Sequence, residues 1–273
     1  MKRIAIALLL IVLGLAVITS YLAVTEYEEV QPAPLADIPQ IALDEGGAVT
    51  EGVLTQVDRP VAIIGIAEKG YLNLRLTVNA AGGHSSQPPP QSAVGILSRA
   101  IVRVEDHPFP ADMTYMTRTF DAIASHTAFS NRFAMANSWL LSPLIESNLL
   151  SNRSSAASLR TTTAATMVSG SPKSDILPTR ATGIINFRIL PGNTVESVRE
   201  RVIEIIDDER VEVTAEMARN PSAVSPTDSW VYQLLARTIR GFDDDILVAP
   251  YLVPGVPMRN ISTHCHRTFT ASS

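Results

Sequence analysis

Residues 71–78 read Tyr-Leu-Asn-Leu-Arg-Leu-Thr-Val. Leu72, Leu74, Leu76 and Val78 alternate with more polar residues, the period-two signature of a strand with one buried face. Gly82-Gly83 breaks the pattern. Pro88-Pro89-Pro90 then opens a run in which Ala93, Leu97, Ala100, Ile101 and Val104 recur at helical spacing. Proline suits the first turn of a helix, where its missing N–H has no partner.

Working outward, Leu159 to Val168 is β-like and threonine-rich, and Ser169 to Pro178 is a turn-rich connection. Ala181 to Leu190 reads as a strand with Ile184, Phe187 and Ile189 among its apolar positions, ended by Pro191-Gly192. Asn193 or Thr194 then caps a helix that carries Val195, Val198, Val202, Ile205 and Ile206 on one face. Val211 to Thr214 is a short final strand. From Gly70 to Ala215 the order is therefore β-α-β-β-α-β, the ferredoxin-like order, with a helical insertion after the first helix. In that insertion, His107 to Ser158, the residues Phe120, Phe129, Phe133, Trp139, Leu140 and Leu141 predict packed helices of imperfect period.

The flanks predict parts of a second layer. Gln40 to Ala67 holds about one strand-turn-strand, with Val61 to Ile66 a buried strand. Pro226 to Pro257 holds a helix, with Trp230, Leu234, Leu235 and Ile239 at helical spacing, and a strand from Ile246 to Val253. The fold class is α/β, with an α+β ferredoxin-like domain set into a partial α/β domain. The expected boundaries are 1–24, 25–40 (a proline-containing linker), 41–68, 69–215 and 216–273.

The first segment is a membrane candidate. Lys2 and Arg3 precede an uncharged run from Ile4 to Val24. At about 1.5 Å per residue this run spans a hydrocarbon core of about 30 Å. The positive flank keeps its end cytoplasmic and sends the remainder outward. The expectation is a membrane-anchored protein with its soluble part outside the cytoplasm, or a secreted one if the segment is a cleaved signal peptide. The net charge of −5 over 273 residues offers no basic face for nucleic acid. Cys265 is the single cysteine, which excludes an intramolecular disulfide and a cysteine zinc cluster.

Three motifs carry chemistry. Ala42-Leu-Asp-Glu-Gly-Gly47 sets two carboxylates before a double glycine, a geometry that suits a metal ion and equally a solvated turn. Gly82-Gly83-His84-Ser85-Ser86 places a histidine where glycines let a ligand approach; His84 either donates to an oxyanion or carboxylate or simply faces water. A serine-hydrolase reading of His84-Ser85 lacks the Gly-x-Ser-x-Gly elbow. Arg188 lies in a strand just before Leu190-Pro191-Gly192. It is either a bidentate clamp for a carboxylate or an outward strand arginine.

Taken together the motifs are specific. Leu43-Asp-Glu-Gly-Gly, Ile66-Ala-Glu-Lys-Gly70, Gly83-His-Ser-Ser, Lys173-Ser-x-x-Leu-Pro178 and Asn186-Phe-Arg-Ile-Leu-Pro-Gly192 follow one another in a single order. From about Ile41 to Val253 the chain resembles the zinc metallopeptidase family of carboxypeptidase S, the aminoacylases and succinyl-diaminopimelate desuccinylase. The likeness is strongest to its membrane-associated carboxypeptidase S branch, which includes N-fatty-acyl-amino-acid hydrolases. The resemblance implies a two-zinc catalytic domain interrupted by a lid that forms a homodimer. The implied substrates are peptides or N-acyl amino acids. By position, Asp44 resembles a zinc-ligand carboxylate, His84 the lid histidine that reaches substrate across the dimer, and Arg188 the clamp for the substrate carboxylate. Asp175 falls where the family usually has an asparagine that touches substrate; a carboxylate there repels a carboxylate substrate.

In the family two zincs activate a bridging water and a glutamate takes its proton. The His-x-Asp ligand motif, bridging aspartate and Glu-Glu pair that do this have no counterpart upstream of Asp44. No catalytic residue is therefore assigned, and the expectation is a truncated chain that retains no zinc and is inactive alone. The alternative function is a non-catalytic dimerisation or interaction module. After Val253 the resemblance stops. Reading Pro254 to Ala271 from the third base of each codon permits Gly-Gly-Thr-Asp-Ala-Lys-His-Phe, the family's metal-histidine motif, so a frame change near Pro254 is expected. On that reading His264, Cys265 and His266 are out-of-frame residues.

Overall fold

The computed structural model describes residues 47–51 and 57–253. The segments Ile4–Val24 and Pro254–Ala271, and the candidate ligand Asp44, lie outside the described residues. Among the described residues no helix is long and apolar enough to cross a membrane.

The strand expected at 71–78 is β3 (Gly70–Asn79). Leu72, Leu74, Leu76 and Val78 are completely buried, as the alternation requires. The helix after it, α1 (Ala93–Asp106), starts at Ser92, whose hydroxyl accepts from the Gly95 N–H at 3.1 Å. Pro88–Pro90 therefore precede the helix instead of opening it, because the serine cap takes the starting position. The threonine-rich strand is β5 (Thr162–Ser169). Leu159, expected as its first residue, closes a helix instead.

The next strand is β7 (Arg180–Ile189), followed by α6 (Val195–Ile206). Thr194 caps α6: its side chain accepts from Ser197 N, and the Ser197 hydroxyl accepts from Thr194 N, a reciprocal capping box. The last strand, β8 (Val211–Arg219), runs five residues past the expected end at Thr214, because Ala215, Met217, Ala218 and Arg219 all pair with β3.

These strands form one four-stranded sheet in the order β5-β7-β3-β8. All its pairings are antiparallel. The order and direction are those of a ferredoxin-like sheet. One face packs under α1 and α6: the β3 leucines meet Ile185, Phe187 and Ile189 of β7 and Val198, Val202 and Ile206 of α6. Burying each such side chain contributes about 2 kcal/mol. The other face carries Tyr71, Asn73, Arg75, Asn186 and Arg188, interspersed with Met167, Ile184 and Met217.

A second sheet has three strands in the order β1-β2-β9, where β1 is Ala48–Thr50, β2 is Val61–Glu68 and β9 is Leu247–Val253. β2 and β9 are parallel. Helices cover both of its faces, as a parallel pair requires. On one side α7 (Trp230–Arg240) brings Ala236 against Ala62 and Val248. On the other α2 (Thr114–Ile123) brings Ile123 against Val57, Val61, Leu247 and Ala249. The first helix of the insertion thus packs on the second sheet.

The rest of the insertion is α3 (Phe129–Ala136), α4 (Ser138–Ser151) and α5 (Arg153–Leu159). The expectation that Phe129, Phe133, Trp139 and Leu140 pack inside is corrected here. All four are more than half exposed, since no described element faces them.

Candidate functional site

His84 ends the two-residue strand β4 (Gly83–His84), which pairs with β6 (Ile176–Leu177). The chain reaches this ladder through Gly82, at φ +72°. A Cβ at Gly82 would sit 2.8 Å from Thr179 Cγ2 and in a backbone region that side chains disfavour. The glycine therefore lets β4 lie against the segment that carries Asp175. The Ser85 N–H donates to the Asp175 carbonyl at 2.9 Å.

The imidazole is oriented by its own loop. His84 Nδ1 accepts from the Ser86 N–H at 3.2 Å and lies 2.9 Å from the Ser86 hydroxyl. An accepting Nδ1 leaves the proton of the neutral ring on Nε2. Nε2 lies 3.8 Å from Asp175 Oδ2. This is an ion pair when the ring is protonated, and both side chains are largely exposed, so the contact is weak.

Arg188 is at the other end of the sheet. It pairs with Tyr71 on β3 and Thr162 on β5. Its guanidinium carbon lies 4.7 Å from the centre of the Tyr71 ring, a cation–π contact on the polar face. Asn186, two residues earlier on the same face, donates to Asn73 Oδ1 at 2.7 Å, and Arg75 pairs with Glu216. β3 runs from Tyr71, beside Arg188, to Asn79 before the His84 loop. Eight residues at about 3.4 Å each put the two ends about 27 Å apart. The structure brings His84 and Asp175 together and keeps Arg188 away from both.

Lys69 stands at the Arg188 end. Its backbone N–H donates to Val253 O at 3.0 Å, tying the start of β3 to the end of β9. Its side chain is 1% exposed, and Nζ donates to the carbonyls of Ala157 at 2.8 Å and Arg160 at 2.7 Å, at the end of α5. Helix-terminal carbonyls are a natural seat for a cation. Burial first, and then the nearby Arg188 charge, push the Lys69 amine down from 10.5 to about 8. Sequence reading placed Lys69 in a Glu-Lys-Gly motif without giving it a role, and missed Tyr71 and Ser86 as supports for Arg188 and His84.

The family resemblance implies zinc. Among the described residues no three His, Cys, Asp or Glu side chains converge to hold a metal ion. Asp44, the ligand candidate of the sequence, lies outside the described residues.

A ferredoxin-like sheet with one polar face, joined to a slice of a helix-covered parallel sheet, defines a lid-type domain with a piece of α/β core. Residues 66–214 match the peptidase dimerisation domain of M20 peptidases, and the chain belongs to that family. It is 39% identical over 227 residues to the N-fatty-acyl-amino acid synthase/hydrolase of Xenopus tropicalis, covering 80% of this chain and 42% of that protein. It is 33% identical over 216 residues to "Probable carboxypeptidase S-like 2" of Dictyostelium discoideum, covering 78% and 42%. A solved M20 family metallo-carboxypeptidase from Sulfolobus solfataricus superposes with a TM-score of 0.47 at 16% identity, covering 76% of this chain and 56% of that one. The chain spans less than half the length of these two curated relatives.

Proposed function

We propose that this chain supplies the dimerising lid, residues 69–215, and part of the catalytic layer of a carboxypeptidase S-type amidohydrolase. The reaction class is hydrolysis of the amide bond of a C-terminal or N-acyl amino acid. The observation that carries this reading is the two-ended polar face. Arg188 sits where the lid joins the second sheet and can clamp a substrate carboxylate there. His84 sits beyond the far end of β3, a strand about 27 Å long, so it serves a second copy's site and not its own. A homodimer through the lid supplies both residues to one substrate. In this reading the soluble part lies outside the cytoplasm, anchored by Ile4–Val24 or released if that segment is cleaved.

The 273 residues tested alone are expected to bind no stoichiometric zinc and to show no turnover, since the general base and most of the family's ligands have no counterpart in them. The second reading, a non-catalytic dimerisation module, draws on the lid's closed hydrophobic core, which is complete without the second sheet.

Titrating an N-acyl amino acid into isotopically labelled chain, with the Arg188 side chain followed by NMR, tests substrate recognition. Saturable shifts at Arg188 that vanish in Arg188→Ala support the clamp; an unresponsive Arg188 refutes it. Metal analysis showing one or two zincs per chain, with turnover abolished by a chelator, would overturn the expected inactivity.

A further inference from the structure

We infer that Tyr71 is a positioning residue for the carboxylate clamp and makes it selective for a free carboxylate over a neutral amide; the inference rests on the clamp reading of Arg188. Tyr71 and Arg188 are direct partners in the β3–β7 ladder. Side chains of direct partners share a face and lie within reach of each other. Here the guanidinium carbon lies 4.7 Å from the centre of the Tyr71 ring, and both residues are half-buried. Two residues along the same strands, Asn186 donates to Asn73 Oδ1 at 2.7 Å. Side chains as well as backbone therefore pin β3 to β7 beside this pair. On the other side of Arg188, β5 places Thr162, so the ring is its one large neighbour across the ladder.

An unsupported arginine samples many rotamers and has to be ordered when a ligand binds. The Tyr71 ring meets the guanidinium at its face, whereas a carboxylate accepts from the N–H groups along its edge. The two contacts do not compete, so the ring holds the guanidinium in the orientation the ligand needs. Selectivity follows from that orientation. A carboxylate accepts two parallel N–H···O bonds from a fixed fork. An amide offers one oxygen, and its NH2 meets the second N–H donor to donor. A swinging guanidinium keeps its charge and loses the fork. Charge adds to the preference for an anion. The Lys69 amine is lowered by burial and then by the Arg188 charge, and two neighbouring cations favour a negative group beside them.

The test uses the full chain with isotopically labelled arginine, N-acetylleucine as the carboxylate probe and N-acetylleucinamide as its neutral counterpart. In the wild type the Arg188 Nε–H signal should move saturably with N-acetylleucine. Tyr71→Phe keeps the ring and should bind with wild-type affinity. Tyr71→Ile, a good strand former without a ring, should weaken N-acetylleucine about three- to tenfold and leave the response to N-acetylleucinamide unchanged. It should also lose the ring-current shift of the Arg188 side chain in the absence of ligand, while far-UV circular dichroism is unchanged. Equal affinity of Tyr71→Ile and wild type for N-acetylleucine overturns the inference and leaves the clamp standing. Weakening of both probes alike marks a structural role, and a Tyr71→Phe variant as weak as Tyr71→Ile marks a hydroxyl contact; either overturns it. A wild-type Arg188 that ignores N-acetylleucine refutes the clamp reading itself, before any Tyr71 variant is compared, and the inference falls with it.

Discussion

Replacing Lys69 with methionine separates two effects that the structure places on one side chain. The ammonium is held by two carbonyls, Ala157 O and Arg160 O, and is shielded from water. Its folded pKa of about 8 lies below the unfolded value of 10.5. Between these values the unfolded chain keeps the Lys69 proton and the folded chain has released it. Unfolding then takes up a proton, so stability rises with pH across this window. The contribution is complete above 10.5 and lost as pH falls through 8. The gap between 10.5 and about 8 corresponds to about 3 kcal/mol, most of it gained by pH 10. The methionine variant has no amine to titrate and leaves both carbonyls unpaired, at about 1–3 kcal/mol each. At pH 7 that loss is offset by removing the buried charge, so the two proteins are close in stability. At pH 10 the wild type exceeds the variant by about 2–3 kcal/mol more than at pH 7. Urea unfolding of both proteins at the two pH values is the assay, and other titrating groups cancel in the difference. A wild-type minus variant difference that stays flat between pH 7 and 10 would refute the burial of Lys69.

Three further substitutions test the lid. Thr194→Ala removes the α6 cap and should cost about 1 kcal/mol in urea unfolding, while Thr194→Ser should cost little. Gly70→Ala would set a Cβ 2.6 Å from Arg219 O and 2.7 Å from Pro221 N; because backbone must move, a loss of about 1–3 kcal/mol is expected. Phe187→Ala empties a fully buried site against the Phe109 ring, 6.1 Å away, and should lower the unfolding free energy by about 3–5 kcal/mol.

The lid was legible in the sequence because its two buried faces repeat at different periods. Leu72, Leu74, Leu76 and Val78 alternate, and the apolar residues of α1 and α6 follow helical spacing, so strand and helix separate cleanly. The insertion was not legible as a unit. Ile123 of α2 packs on Val57, Val61 and Leu247, partners far away in sequence that leave no local period. The Phe129 and Trp139 face looked like core because large apolar residues usually are, and only the fold shows that nothing described covers it.

Of the candidate site, the residue types were readable and their separation was not. His84 and Asp175 meet through a two-residue ladder held by Gly82 and the Ser85 N–H, which no propensity marks. Arg188 and His84 emerge at opposite ends of one sheet, which follows from the β3–β7 register. Lys69 stood in a quoted motif, yet lysine is rarely fully buried; its burial depends on two carbonyls of a helix remote in sequence.

The reading of a lid that serves two sites depends on self-association of residues 69–219, the segment through the observed end of β8. Among the described residues no strand pairs with the outer edges of β5 and β8, and an exposed edge invites pairing. Size-exclusion chromatography with light scattering on this segment gives the mass directly. A mass of two chains at tens of micromolar is the predicted result; a stable, folded monomer at that concentration would contradict it.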